Sequence, residues 1–419
     1  MRIAVVGTGI AGMTVGRRLY AAHDLTIFES NDYYGGHTAT VDVESGGLRY
    51  AIDTGFIVFN DWTYPNFVAL LEEIGAAWQR SDMSFSFTCE RSGLEYNGTS
   101  INSLFAQRRN ALRPSFLRMV ADILRFNSRS RQLLAGDDDQ LTLGSYLRLG
   151  NYSPAFIHRY IVPMGKAIWS ATESAMLEFP ARFFVDFFDR HGFLNVNNRP
   201  VWRTVSGGSR EYARKLVAPF VSRVRLSTAV SGVRRSAQHV SVRTKRGDVE
   251  HFDAVVFACH SDQALNILDD PTPQEREILG AIPYQENDAL LHTDTRMLPR
   301  RPLARAAWNY HALDRPQERV ALTYDMNILM ALNAQDKFLL TLNRENDIDP
   351  AQVLGRFVYH HPVYTPQAVR AQQRRAQISG VNRSYYCGAY WRYGFHEDGV
   401  VSAQWVLDEL QGAPRRAAP

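Results

Sequence analysis

The residues best suited to chemistry lie close to the start of the chain. Gly7-Thr8-Gly9-Ile10-Ala11-Gly12 places glycines at the three positions of a dinucleotide fingerprint. Gly7 permits a tight turn, Gly9 lets the backbone approach a pyrophosphate, and Gly12 lets a following helix pack closely against its strand. Glu29 follows roughly twenty residues later, where a carboxylate can accept hydrogen bonds from ribose hydroxyls. The alternative, a glycine-rich turn without a ligand, does not account for the acid at this spacing.

These residues need a strand, a helix and a second strand to hold them, and the flanking sequence supplies all three. Arg2 to Val6 is a short apolar run of the kind that forms a buried parallel strand. An amphipathic stretch from Met13 to Ala22 follows the glycines, and Leu25 to Glu29 reads as a second strand. The unit is β-α-β, with the helix N-terminus offering free N–H groups and a partial positive charge to phosphates.

Composition narrows the remaining possibilities. The chain has 419 residues, 45% hydrophobic and 21% charged, a length that suits two intertwined domains. A net charge of +4 gives no reason to expect a nucleic-acid partner. Cys89, Cys259 and Cys387 are scattered and form no Cys-x-x-Cys pair, which argues against a disulfide framework or a metal–thiolate site. No histidine pair with carboxylates sits at metal-ligand spacing, so no metal is expected. No Gly-x-Ser-x-Gly elbow points to a hydrolase. The apolar start is cut by glycines and reads neither as a signal peptide nor as a membrane span, so the expected location is cytoplasmic, with any membrane contact peripheral.

After Glu29 and Ser30 comes Tyr34-Gly35-Gly36-His37-Thr38. Here the sequence resembles the glutathione-reductase-like flavoproteins, and within them the flavin amine oxidase and phytoene desaturase superfamily. Members carry a Gly-Gly doublet after the acidic residue, usually followed by Arg; this chain has His37. Ala51-Ile52-Asp53-Thr54-Gly55-Phe56 resembles the segment beside the isoalloxazine ring. Trp202 to Gly208 resembles the loop that re-enters the FAD domain. Arg225 to Val230 reads as a strand ending near the adenine, followed by a small β-meander over His239 to Arg246 and Glu250 to Asp253. Ala254 to Cys259 reads as a buried strand. Ser384 to Tyr390 resembles the strand and turn that close the flavin site, with Ala389 where relatives often have an acid. Phe395 to Ala403 resembles a helix start whose backbone amides bind the flavin. The nearest resemblance is to a bacterial branch of FAD-dependent oxidoreductases whose genes commonly lie beside cyclopropane fatty-acyl synthases.

The resemblance implies an α/β chain: a Rossmann-type FAD-binding domain from 1–75, 200–285 and 373–419, and an α+β substrate domain from 76–199 and 286–372. It implies FAD held noncovalently by Gly7, Gly9, Ile10, Ala11, Gly12, Glu29, Ser30, Gly35, Gly36, His37, Thr38, Asp53, Thr54, Gly55, Phe56, Val230, Cys259, Gly388, Glu397, Asp398, Gly399 and Val400. Many amine oxidases also carry a lysine in the segment corresponding to Gln285 to Leu290, which has none here.

The intervening segments are where a substrate would sit. Phe179, Phe183, Phe184, Phe187 and Phe188 recur at helical spacing, either as core or as the wall of an apolar tunnel. Segments resembling the sheet that faces the flavin carry His292, Asp294, Trp308, Asn309, Tyr310, His311, Tyr324 and Asn327. His360, His361, Trp391, Tyr393 and His396 are further polar or aromatic candidates. Of these, His292, Trp391 and His396 are the candidates for catalysis. Residues 108–132 are arginine-rich with apolar residues at helical spacing, either a solvated helix with a buried face or a peripheral membrane contact.

Three functions fit: removal of hydride from an apolar, fatty-acyl or polyene-like substrate, giving desaturation or isomerisation; oxidation of a small or secondary amine; or a noncatalytic FAD-bound partner of a lipid-modifying enzyme. Oligomeric state is left open by the sequence.

Overall fold

The computed structural model describes residues 1–136, 140–315 and 318–412. The end of the 373–419 segment, from 413 onward, lies outside the described residues, as do short parts of 76–199 and 286–372. Strand β1 (Arg2–Val6), helix α1 (Ile10–Leu19) and strand β2 (Asp24–Phe28) form the expected opening unit. β1 is the centre of a five-stranded parallel sheet in the order Val224–Arg225, β2, β1, Ala254–Phe257, Ser384–Tyr386. Ile3, Ala4 and Val5 are fully buried, as an apolar run covered on both faces must be. The sheet gathers strands from both ends of the chain and from its middle, so its C-terminal edge brings distant segments together.

Helix α1 covers one face because its glycines have no side chain to hold it off. A Cβ on Gly12 would lie 2.0 Å from the carbonyl oxygen of Gly7, and one on Gly16 would lie 2.7 Å from the Phe220 ring. The C-terminal helix His396–Leu410 packs beside α1, and a Cβ on Gly399 would strike Ile10 Cγ2 at 2.6 Å.

The single strand expected over Arg225 to Val230 is broken. Pairing with β2 stops at Arg225, Ser227 takes a left-handed conformation (φ 49°), and Val230–Arg235 begins a separate three-stranded antiparallel sheet with Val240–Thr244 and Val249–Phe252. The amides of Ser227 and Thr228 instead donate to the carbonyls of Asn31 and Glu29. The turn is thereby tied to the end of β2.

A seven-stranded sheet forms the other half. Its order is Val353–Pro362, Tyr284–His292, Leu339–Leu342, Leu322–Asp325, Trp308–Ala312, Phe85–Cys89, Leu94–Asn97, antiparallel except where Trp308–Ala312 meets Phe85–Cys89. Helices between residues 114 and 190 share one large apolar core with it. Trp78–Arg80 pairs instead with Trp202–Val205, which also pairs with Phe59–Asn60, and this three-stranded sheet stitches the two halves. Among the described residues, no helix is long and apolar enough to cross a membrane.

Candidate active site

A cavity of about 810 Å³ runs from the C-terminal edge of the parallel sheet to the face of the seven-stranded sheet. Its first stretch is backbone. Gly7, Gly9, Ile10 and Ala11 line it where β1 turns into α1, and Gly35 and Gly36 face them. Both glycines of the doublet have positive φ (126° and 60°), a conformation that costs other residues more. A Cβ on Gly36 would come within 3.3 Å of Gly9 Cα, whereas one on Gly9 would meet nothing within 4 Å. The space above Gly9 is open, as a diphosphate resting on the turn requires.

Glu29 closes one end of this stretch. The Thr8 amide donates to one carboxylate oxygen at 3.0 Å and the Thr8 hydroxyl bonds the same oxygen, while the Asn31 amide donates to the other at 2.9 Å. The carboxylate is thus held rigid beside Ser30, Thr228, Ala229 and Val230. Lys245 joins them, because its amide donates to the Ala229 carbonyl at 2.8 Å across the second sheet. It was not apparent in the sequence; only strand pairing brings it to this edge.

Further along, His37, His260, His360 and His361 converge. The His37 ring lies 5.8 Å from that of His260 and 5.7 Å from that of His361, and His260 stacks on Tyr284 at 4.4 Å. Burial pushes the His37 imidazole down to about 4 and that of His361 to about 3. The His37 Nε2 is buried without a hydrogen-bond partner, a costly state that a polar ligand atom would relieve. His260 could have been suspected from its place just past the strand Ala254–Phe257, at the edge where open α/β sheets bind ligands.

The far end is apolar and aromatic. Thr54, Gly55, Phe56, Ile57 and Val58 form one side, Ile168, Trp169 and Ser170 a second, and Trp308, Tyr324, Leu340 and Leu342 a third, with Tyr364 and Tyr393 beside them. Ser170 ends the helix Val162–Trp169 in a left-handed conformation (φ 53°). None of the five clustered phenylalanines lines the cavity. Phe179, Phe184, Phe187 and Phe188 are core, and Trp169 sits against Phe179 and Phe187 at 4.8 and 4.7 Å. Phe183 backs Tyr393 at 4.7 Å. They stiffen the wall without forming its surface.

His396 lines the cavity. Its Nε2 bonds the hydroxyls of Thr38 (3.1 Å) and Tyr212 (2.8 Å), and burial holds its imidazole well below the ordinary range. The other two catalytic candidates are elsewhere. His292 is fully buried: its Nδ1 accepts from the Asp294 amide at 3.0 Å and its Nε2 bonds Thr341 Oγ1 at 2.7 Å. Trp391 packs on Tyr390 at 4.9 Å behind the wall. Neither lines the cavity, so neither is placed to exchange a proton there.

Several expected cofactor contacts are also displaced from the lining, each for a visible reason. Gly12 faces the Gly7 carbonyl. The Thr38 hydroxyl turns to Tyr212 at 2.5 Å. Asp53 is buried and accepts from the Ser209 amide and hydroxyl, both at 2.8 Å, and from Thr40 Oγ1 at 2.6 Å. Glu397 accepts from Asn66 and from the Phe67 amide at the start of another helix. Asp398 caps its own helix through the Phe395 amide at 2.9 Å. Gly399 abuts Ile10, and Val400 is core. The helix nonetheless begins at the cavity, since Phe395 and His396 line it. Ser30, Cys259 and Gly388 also line it.

A family model for flavin containing amine oxidoreductases matches residues 10–296. The chain belongs to that family. This flavin-containing amine oxidoreductase shares its fold with cyclohexylamine oxidase from Brevibacterium oxydans IH-35A (TM-score 0.72, 14% identity, 98% of this chain and 99% of that one covered). It is also similar to a CLA-producing fatty acid isomerase from P. acnes (0.67, 17%, 97% and 98%) and to UDP-galactopyranose mutase (0.68, 14%, 98% and 95%). No curated protein sequence matches. The family member described here is an FAD-dependent oxidoreductase. The open glycine turn and the fixed Glu29 carboxylate fit that cofactor's diphosphate and ribose. The Cys259 thiol in the lining is pushed up to about 12 by burial, so it stays protonated and offers no nucleophile for a covalent link.

Proposed function

We propose that this oxidoreductase acts on an uncharged, apolar substrate of the fatty-acyl or polyene type, with desaturation or isomerisation as the outcome. One observation carries the reading. Among the described residues lining the cavity, Glu29 and Lys245 are the only carboxylate and the only Lys or Arg side chain, and both sit at the end away from Trp169, Trp308 and Tyr364. That end therefore offers no counter-charge to an ammonium group and a continuous surface to an alkyl chain.

FAD bound in the first stretch supplies a two-electron acceptor for a hydride leaving a C–H bond. The protein's own work is positioning and exclusion of water. Ile168, Leu340 and Leu342 supply apolar contact, and the flat faces of Trp308 and Tyr324, whose rings meet edge to face at 5.2 Å, restrict how a chain can lie. His396 stays neutral with its Nε2 committed to Thr38 and Tyr212, so it fixes the wall and does not act as the base.

Anaerobic mixing of the FAD-loaded protein with unsaturated acyl chains and, separately, with cyclohexylamine or putrescine tests the reading. Loss of the flavin's visible absorbance, or rearranged double bonds seen by mass spectrometry, is expected with the acyl chains only. Bleaching by the amines alone would overturn the proposal in favour of amine oxidation. Absence of both reactions would favour a noncatalytic FAD-bound partner.

A further inference from the structure

Exposed leucines are ordinary when scattered, but clustering marks an interaction surface. Among the described residues, the three most exposed large apolar side chains are Leu112 (87%), Ile101 (80%) and Leu149 (79%). Leu112 lies just before the helix Pro114–Arg129, and Ile101 and Leu149 lie on short helices adjoining its start and its end. The long helix already has a core face, with Phe116, Met119 and Phe126 buried. Its outer face presents Leu117 and Leu124, seven residues apart and so on one side. Val120 and Ile123 of the same helix are partly buried against the core.

Side-chain bonds hold these pieces together. Arg108 donates to the carbonyls of Asn102 and Phe105, tying the turn before Leu112 to the helix that carries Ile101. Arg125 donates to the carbonyl of Asn151 at 3.1 Å, tying the long helix to the turn after Leu149. The short helix Ile101–Leu104 also contacts the turn Pro302–Ala304.

Arginines stand beside these side chains. Arg108, Arg109, Arg129, Arg148, Arg300 and Arg301 are exposed, and none forms an ion pair among the described residues. Asp122, the acid of the long helix, points inward, accepting from the Ser153 amide at 2.9 Å and pairing with Arg118 and Arg125. The helix thus turns no carboxylate outward.

We propose that this surface docks on a lipid bilayer carrying anionic headgroups, with the arginines meeting the headgroups and Leu112, Ile101 and Leu149 entering the boundary beneath them. Protruding aliphatic side chains ringed by unpaired arginines match such an interface. A surface for single-stranded nucleic acid would need aromatic side chains for base stacking, and the protruding residues here are aliphatic. The proposal goes beyond the substrate reading and stands independently of it.

Co-sedimentation of the FAD-loaded full chain with phosphatidylcholine vesicles, with and without phosphatidylglycerol, tests it. Sedimentation is expected only with phosphatidylglycerol at low salt, with release at high salt. Each arginine near the surface is worth about fivefold in affinity. The pair Arg109→Gln and Arg148→Gln should therefore weaken binding by roughly twenty-five-fold, and Arg300→Gln with Arg301→Gln gives an independent second pair. Leu112→Ser with Leu149→Ser should weaken it as well, with melting temperature and bound flavin unchanged for every variant. No phosphatidylglycerol-dependent sedimentation, or full binding by the leucine variant, would overturn the proposal. Equally tight, leucine-independent binding to duplex DNA would overturn it too, by assigning the surface to polyanions in general.

Discussion

Phe56 and His396 stack face to face, their ring centroids 3.4 Å apart and their planes 14° from parallel. One comes from the segment after the Gly-Gly doublet and the other from the first turn of the last helix, so the stack joins the two ends of the chain at the cavity. His396→Phe preserves the stack, and Thr38 and Tyr212 still bond each other, so it should cost about 1 kcal/mol and leave FAD affinity nearly unchanged. His396→Ala removes the ring and should cost about 3 kcal/mol, with weaker FAD binding. Thermal melts and flavin titrations of both variants decide. Loss of FAD from the Phe variant would show that the imidazole, not its shape, is what matters.

The glycines of the opening turn separate fold from ligand. Gly12→Ala drives a methyl to 2.0 Å from a backbone oxygen that cannot move away, so we expect insoluble or unfolded protein. Gly9→Ala meets no protein atom within 4 Å and should fold with a near-normal melting temperature while losing FAD affinity by at least about tenfold, or ~1.4 kcal/mol. A Gly9→Ala protein that binds FAD normally would mean the diphosphate does not rest there.

How far the sequence could be read follows from the range of each interaction. The β1–α1–β2 unit, Glu29 and the doublet are local patterns whose spacing carries their geometry, and they stand where the sequence put them. His292 shows the limit. Tyr284 and His292 share a strand, yet Tyr284 lines the cavity and His292 does not. The His292 ring turns to Thr341, on the opposite face of the sheet from the neighbouring Leu340 and Leu342, which line the cavity. Lys245 and Trp169 were illegible because each reaches the cavity through the pairing or packing of elements far apart in the chain. Asp53 lies at the expected place but serves the loop behind the wall.

Asp53 should therefore behave as a structural acceptor. Burial raises its carboxyl to about 7, against the hydrogen bonds from Thr40 and Ser209 and the charge of Arg210 that pull it down. One oxygen, Oδ1, takes the bonds from Thr40 Oγ1, Ser209 Oγ and, at 2.8 Å, the Ser209 amide. An asparagine oxygen in that position keeps them without a buried charge. Asp53→Asn should be neutral or stabilising at pH 8, whereas Asp53→Ala should cost about 3 kcal/mol by stranding buried donors. Comparable destabilisation by both, measured by denaturant unfolding, would show that the charge itself is needed.

Buried imidazoles should make the protein acid-sensitive, and the direction follows from proton counting. Burial lowers His37, His191, His260 and His292 to about 4, and His311 and His361 to about 3. Each is neutral in the folded protein, so as pH falls below about 6.5 the unfolded chain takes up protons first and stability drains until about pH 4. Asp53 and Asp398, both raised to about 7, act the opposite way, because the folded state holds their protons more tightly. With His396, also held well below its ordinary range by burial, seven imidazoles outweigh two carboxyls, so net stability should rise with pH between about 4 and 6.5. His361→Gln removes one proton acceptor from the unfolded state and should flatten that slope. Urea unfolding across this range tests both statements, and a stability that falls as pH rises from 4 to 6.5 would show that the carboxyls dominate.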